Sequence, residues 1–448
     1  MFVFFRRRAR RVVWLCTTSL LLIYTSSVCA DAGNETANAI TLPQVLARVL
    51  RDSPELATFP YRLRAAEAQT LQASLHPNPE LSFSIENFAG DAEFSGTDSA
   101  EMTLALSQVI ELGGKRRFRK QAARFGTELV EYDYELARLD VLSRSAGRFL
   151  DVIRAQYLLE LVQTADRWTQ RAEQVAQARF QAGGISRAEL SQARIETLRS
   201  GLMVTDAQNT LHIAGLQLAA EWGAEQVDFT IARADLFSVY STPPFTRLRE
   251  QLDQSPQLQR YLTLDRLRQA ELDLAIANGR QDISVGLGLR RFEDIGEQAL
   301  TFEVSMPLGI ANRNQGGIDA ARAELERIGS EHKVSRTGLY TELHRLYRQM
   351  QHSHRVVSVL RQDALPEANR ALTQVEQGYR NGRFSYLELV EARRMRLSVE
   401  RDMIDVATVF HRTLITLEQL TGEAIAQGPD SIIQARKTTT DSSQGDSK

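Results

Sequence analysis

Two stretches of strict alternation constrain this chain more than anything else in it. Leu81, Phe83 and Ile85 alternate with Ser82, Ser84 and Glu86; after a polar segment at 87–101, Met102, Leu104 and Leu106 alternate with Thr103, Ala105 and Ser107. The pattern returns as Ile283, Val285, Leu287 and Leu289 against Ser284, Gly286, Gly288 and Arg290, then as Leu300, Phe302, Val304 and Met306 against Thr301, Glu303 and Ser305. A period of two puts one set on each side of a sheet. The chain therefore offers two hairpins, four strands in all, at about 80–88, 101–109, 282–290 and 299–307, and everything else reads as helix. A pair of hairpins with one wholly apolar face is unstable in water, and it cannot close on itself in lipid, where every strand edge must be paired. The smallest membrane barrels use about eight strands. Three copies giving four strands each would make twelve. A soluble α+β domain with helices packed on the apolar face is the competing reading, and the rest of the chain decides between them.

At the N-terminus, Arg6, Arg7, Arg8, Arg10 and Arg11 precede an apolar run at 12–24 and small residues ending Val28-Cys29-Ala30. A charged head, an apolar run too short to span a bilayer and a small-residue site predict a signal peptide over 1–30, cleaved after Ala30. Cleavage removes both cysteines, Cys16 and Cys29, which excludes disulfides and thiolate metal sites from the mature chain. Acylation at Cys29 is the alternative, although residues 25–28 make a poor lipoprotein signal. Loss of the five leader arginines takes the formal charge from −2 to −7, and nothing points to nucleic acid. No later run of eighteen or more apolar residues predicts a membrane helix. Export, lipid-suited strands and no membrane helix together point to an outer membrane.

The chain is also duplicated. Ser53-Pro54-Glu55-Leu56 matches Ser255-Pro256-Gln257-Leu258 at an offset of 202, and the strands beginning at Ser82 and Ser284 share it. Further on, Gly183, Ser186, Glu189, Leu190, Ala193 and Arg194 match Gly382, Ser385, Glu388, Leu389, Ala392 and Arg393 at an offset of 199. Order and spacing survive, so this is a tandem repeat. The first repeat covers 31–222, a linker with Pro243-Pro244 covers 223–245, the second repeat covers 246–422, and 423–448 is a C-terminal segment whose tail from Lys437 reads as disordered. Each repeat reads helix, hairpin, long helix, turn, helix. No proline interrupts the chain between Pro79 and Pro243, so 115–180 can form one helix. At ~1.5 Å per residue it would run roughly 100 Å and must protrude from the sheet. The second long helix, 312–379, holds Pro366, which predicts a kink. Both long helices end in turn chemistry, Gly183-Gly184 and Asn381-Gly382. Ser186 and Ser385 then cap the next helices, with Glu189 and Glu388 three residues on as capping boxes.

These features resemble the TolC-like outer-membrane efflux channels: the repeat, the hairpin positions and the paired tips ARFQAGGISRAELSQAR at 178–194 and GYRNGRFSYLELVEARR at 378–394. Within that family, SQVIELGGKR at 107–116 and NPELSFSIENFAG at 78–90 are similar to the cobalt–zinc–cadmium heavy-metal branch. The resemblance implies a mainly helical chain with a small β part. As a homotrimer it would form a twelve-stranded outer-membrane barrel continued by a helical barrel through the periplasm. It also implies a periplasmic adaptor at the tips and an inner-membrane RND pump as partners. The function implied is passive conduction of heavy-metal cations such as cobalt, zinc, cadmium or copper. Export of drugs or other organic compounds, or a type I secretion conduit, is the alternative on the same architecture; a periplasmic adaptor is the rival from another class.

A conduit needs no nucleophile, and the spacing offers no acid–base or metal constellation, so neither enzyme nor cofactor is expected. His352 and His354, two apart on a helix, do not share a face. The pore candidates are Glu388 and Glu391, one turn apart, which threefold symmetry would turn into carboxylate rings; they match positions where the family's periplasmic gate carries aspartates. Glu388 is equally accounted for as the cap partner of Ser385 and Glu391 as a solvated charge, and the first tip has Gln192 where the second has Glu391. An acidic constriction there would favour cations and close the resting channel. Gly183, Gly184, Ser186, Arg187, Gly382, Ser385 and Tyr386 are expected to set the adaptor-docking surface. Ser82, Ser84, Glu86, Thr103, Ser107, Ser284, Arg290, Thr301 and Glu303 are expected to line the barrel lumen, with outer loops at 87–101 and 291–299.

Overall fold

A computed structural model describes residues 39–424, so the expectations for the leader, its cleavage or acylation and the tail lie outside the described residues. In the first repeat, β1 (Ala39–Thr41) leads into α1 (Leu42–Asp52) and α2 (Phe59–Ser74), followed by β2 (Glu80–Glu86) and β3 (Glu101–Ile110). Helix α3 (Lys115–Gln181) runs without a break for 67 residues, and α4 (Arg187–Ala220) returns along it. Then β4 (Ile231–Arg233) precedes α5 (Phe245–Asp253) and α6 (Pro256–Asn278), and the second hairpin is β5 (Ile283–Phe292) and β6 (Glu297–Ser305). The second long helix begins as α7 (Gln315–Val359) and continues as α8 (Leu365–Arg380); α9 (Tyr386–Thr421) returns.

The two hairpins join into one antiparallel sheet, order β2-β3-β5-β6, through pairing of β3 with β5. Two details depart from expectation, and a third shows how the chain accommodates Pro366. The sheet strands are not the only ones: β1 and β4 form a separate parallel pair, Ala39 opposite Ile231 to Thr41 opposite Arg233. Strands of three residues carry no readable alternation, and this pair joins positions far apart in the chain. The second outer loop is shorter than 291–299, because Arg291 and Phe292 pair with Gln298 and Glu297, leaving a turn at 293–296 with Gly296 at φ 69°. Alternation continues through those polar residues; only its hydropathy stops. At Pro366 the chain makes one turn of π-helix, Leu360–Ala364, in which the Leu365 N–H donates to the Leu360 carbonyl. Pro366 then sits in the first turn of α8, where its missing donor costs no helical bond.

Two helical cores hold the rest. One gathers Val45, Val49, Leu142, Phe149, Leu218, Trp222 and Leu236 from α1, α3, α4 and the segment between the repeats. The other gathers Leu248, Leu252, Leu343, Met350, Phe410 and Leu417 from α5, α7 and α9. The repeats thus use one solution twice: a short helix (α1, α5) lies against a long one (α3, α7). Full burial of each such side chain contributes about 1.5–3 kcal/mol. The segment at 223–245 is therefore no loose tether, since Leu236 lies in the first core at 1% exposure.

Candidate functional site

The register of the sheet sorts its side chains into two faces. Ser84 lies opposite Thr103, Thr103 opposite Arg290, and Arg290 opposite Ala299. Following the same rows, Ser82, Ser84, Glu86, Thr103, Ser107, Ser284, Arg290, Thr301 and Glu303 all fall on one side. Near the loop end of that side, Arg290 makes a cross-strand cluster. Its Nε donates to Thr103 Oγ1 at 2.9 Å, its Nη1 meets Glu101 Oε2 at 3.0 Å, and its Nη2 lies 3.5 Å from Glu86 Oε2. Glu101 belongs to this face and was not singled out from sequence, because its partner sits 189 residues away. Toward the helix end the face thins to glycine. A Cβ on Gly288 would come within 2.7 Å of Thr301 Oγ1 and 2.9 Å of Ala105 Cβ, whereas one on Gly286 would meet nothing closer than 3.6 Å.

The opposite face is wholly apolar along its middle and uncovered. Leu81 is 69% exposed, Phe83 62%, Leu287 60%, Leu300 77% and Phe302 70%. Among the described residues no helix packs there, so the soluble α+β reading has no element to supply its cover. Single exposed apolar residues are ordinary, but a contiguous face across four strands is a surface for another apolar phase. The edges, β2 and β6, are also unpaired among the described residues.

At the far end of the long helices the two tips lie side by side. Gly183 and Gly382 both take φ 72°, the left-handed conformation that ends a helix at little cost only for glycine. Both capping boxes are closed: Ser186 Oγ accepts from Glu189 N–H at 3.2 Å, and Ser385 Oγ from Glu388 N–H at 3.3 Å. The Glu388 carboxylate in turn accepts from Ser385 N–H at 2.7 Å and Ser385 Oγ at 2.8 Å, and the backbone bond holds its carboxyl below the usual range. Glu391 and Arg187 are exposed and make no ion pair among the described residues. Tyr386 packs beside buried Ala176, Leu190 and Ala193 of the first tip, and burial pushes its phenol up. The seam is closed further by Arg179 over the Tyr379 ring at 4.5 Å and by Arg394 on Glu196. Above it, Arg393 and Arg396 lie over Trp168 at 5.8 and 4.9 Å, contacts between distant stretches that no local pattern announces.

His352 is exposed and His354 faces the Phe410 ring at 6.3 Å. Among the described residues no group of three or more His, Cys, Asp or Glu could hold a metal ion, and no helix is long and apolar enough to cross a membrane. The latter says nothing against a barrel.

Comparison with known proteins fits this geometry. The profile of the outer membrane efflux protein family matches residues 45–224 and 253–423, once for each repeat. The cobalt-zinc-cadmium resistance protein CzcC of Cupriavidus metallidurans is 28% identical over 389 residues, covering 87% of this chain and 91% of the relative. The nickel-cobalt-cadmium resistance protein NccC of Alcaligenes xylosoxydans xylosoxydans is 23% identical over 354 residues, covering 72% and 74%. Among solved structures, CusC superposes with a TM-score of 0.72 at 17% identity, covering 85% of this chain and 92% of that one. A membrane protein from Pseudomonas aeruginosa gives 0.73 at 18%, covering 85% and 90%. The structural likenesses establish the fold alone. With the family profile matched over most of the length and both repeats accounted for, the chain belongs to the outer membrane efflux protein family.

Proposed function

We propose that three copies of this chain close into an outer-membrane channel that conducts heavy-metal cations passively out of the periplasm. The observation that carries this reading is the open sheet: one uncovered apolar face, one polar face and two unpaired edges. Joining β6 of one copy to β2 of the next satisfies both edges, turns the apolar face to lipid and the polar face to water. Twelve strands lie within the range of membrane barrels. The helices then continue the wall as a tube, with Ser82, Ser84, Glu86, Thr103, Ser107, Ser284, Arg290, Thr301 and Glu303 facing its lumen above.

The unit boundaries follow: an exported leader at 1–30, repeats at 31–222 and 246–422 joined by 223–245, and a trailing segment at 423–448. At the tips, threefold symmetry brings three copies of Glu391 toward one axis, with Glu388 behind it held to its cap. This is the acidic gate. Gly183, Gly184, Ser186, Arg187, Gly382 and Ser385 present the surface that a periplasmic adaptor grips, and Tyr386 stiffens it from the seam. The energy comes from a proton-driven RND pump in the inner membrane, since a passive pore supplies none. Metal cargo is favoured by the CzcC likeness, which spans most of both chains.

Light scattering of the detergent-solubilised mature protein gives a trimer on this reading, and a deletion strain becomes sensitive to cobalt, zinc or cadmium salts while its tolerance of dyes and antibiotics holds. A stable detergent-free monomer overturns the channel. Unchanged metal tolerance with dye sensitivity transfers the cargo to organic compounds.

A further inference from the structure

The start of α3 carries cations where helix electrostatics disfavours them. Lys115, Arg116, Arg117, Arg119 and Lys120 fill its first two turns, and the first turn holds no acid. The N-terminal end of a helix is its positive pole, so this placement works against the local fold. Two of the five are accounted for by the protein itself. Lys115 Nζ binds Asp282 Oδ1 at 2.8 Å, and Arg119 makes a fork with Glu111 at 2.7 and 3.1 Å. The other three point elsewhere. Arg116 has only the imidazole of His76, Arg117 lies over Phe118 at 4.5 Å, and Lys120 makes no ion pair among the described residues. All three are exposed.

Their position in the fold says what could meet them. Ile110, the last residue of β3, lies on the apolar face, so these cations begin within a few residues of the end of the lipid-facing surface. At the same end of the sheet, past β6, Met306, Leu308 and Ile310 are exposed at 50, 73 and 79%. The loop end of the sheet has the opposite character, with Asp91, Asp98, Glu293 and Asp294 exposed or half-buried. Their direction follows from helical spacing. Leu142, Phe149 and Val152 of α3 lie in the core built with α1 and the β1·β4 pair, and on a straight helix the direction of Val152 recurs every eighteen residues, at Tyr134 and Arg116. In a closed tube that extra layer can only lie outside, so the side of α3 it covers faces away from the lumen, and Arg116 with it, followed one turn on by Lys120.

We propose that Arg116, Arg117 and Lys120 form a basic collar that binds the anionic headgroups of phospholipids at the periplasmic surface of the outer membrane. This rests on the channel reading above. The charged ends reach headgroup phosphates, which supply the acceptors the chain does not. The corresponding stretch of the second repeat, Arg313 to Gly317, holds one cation, so the trimer carries three such patches rather than six.

The test titrates dioctanoyl phosphatidylglycerol and dioctanoyl phosphatidylcholine into the full-length trimer in detergent, with inorganic phosphate as a separate arm. The anionic lipid should bind on the order of tenfold tighter than the zwitterionic one. Arg116→Gln/Arg117→Gln/Lys120→Gln should abolish that preference, Arg116→Lys/Arg117→Lys should retain most of it, and phosphate should not compete. Removing three exposed cations far down the tube, Arg348→Gln/Arg355→Gln/Arg370→Gln, should leave it intact. Equal binding of the two lipids, preference kept in the first triple variant, or preference lost in the distant one overturns the collar. If those variants still assemble as trimers in phosphatidylcholine bilayers, the channel stands without it; if the unaltered protein does not assemble, both fall.

Discussion

Arg394 of the second tip reaches Glu196 of the first, Nη2 to Oε1 at 3.2 Å, across a gap of 198 residues in the chain. The pair sits on the outside of a seam whose inside is Tyr386 against Leu190 and Ala193. Exposed pairs contribute roughly 0–1 kcal/mol, so the ring and not the ion pair should hold the tips together. Tyr386→Ala should open the tip region by about 1–2 kcal/mol in hydrogen exchange, whereas Glu196→Gln should change it by less than about 1 kcal/mol. A larger effect from the glutamine variant would reverse that ranking.

The cap at Ser385 predicts a pH dependence. Glu388 has its carboxyl lowered by the bonds from Ser385, so the folded tip binds the deprotonated form better. Its contribution is therefore fully present above the ordinary carboxylate range and lost as pH falls through the lowered folded value. Protection of the amides at 385–389, measured against their intrinsic exchange, should fall as pH drops below the ordinary carboxylate range, and Glu388→Gln should flatten that profile. Ser385→Ala, which removes the side-chain cap, should cost α9 about 0.5–2 kcal/mol at neutral pH. No change in either variant would assign the frayed end to another cause.

Conduction should depend on Glu391 more than on Glu388, because the latter carboxylate is already engaged. In planar bilayers Glu391→Gln should reduce the preference for cations over anions several-fold, with Glu388→Gln having the smaller effect. Equal selectivity in Glu391→Gln and the unaltered channel would remove the acidic gate.

Two glycines in β5 separate space from flexibility. Gly288→Ala must move Thr301 or Ala105 and should lower barrel stability by about 1–3 kcal/mol, while Gly286→Ala has ordinary contacts and should be tolerated. Heat-dependent mobility of the proposed trimer on gels reads both.

Breaking the three-strand cluster should have a different signature. Arg290→Gln leaves Glu86 and Glu101 facing the same water without a counter-charge. Cation conductance should rise at low salt and converge with the unaltered channel at high salt, as screening shortens the reach of both carboxylates. A salt-independent change would indicate a misfolded sheet.

What the sequence made legible was local. Alternation at Leu81–Ile85 and Ile283–Leu289 reports a sheet face because each residue's side is set by its neighbour. Gly183 and Gly382 with Ser186 and Ser385 report helix ends within a few residues. The parallel β1·β4 pair was invisible, since three residues have no period. The Arg290 cluster and the stacking of Arg396 on Trp168 were invisible for another reason: each joins positions that only tertiary packing brings together. The end of β5 was misjudged because Arg291 and Gln298 are polar yet paired, and hydropathy says nothing about a ladder of backbone bonds.

The uncovered face of the sheet governs the chain's life before it becomes a channel. If three copies close into a barrel as proposed, every newly made copy is until then a sticky part-product with adhesive strand margins, as ready to join a wrong neighbour as a right one. Such a molecule needs an escort across the aqueous compartment, and its concentration there must stay low. A shortage of escorts should therefore show first as insoluble deposits of this protein, before any loss of transport through channels already built.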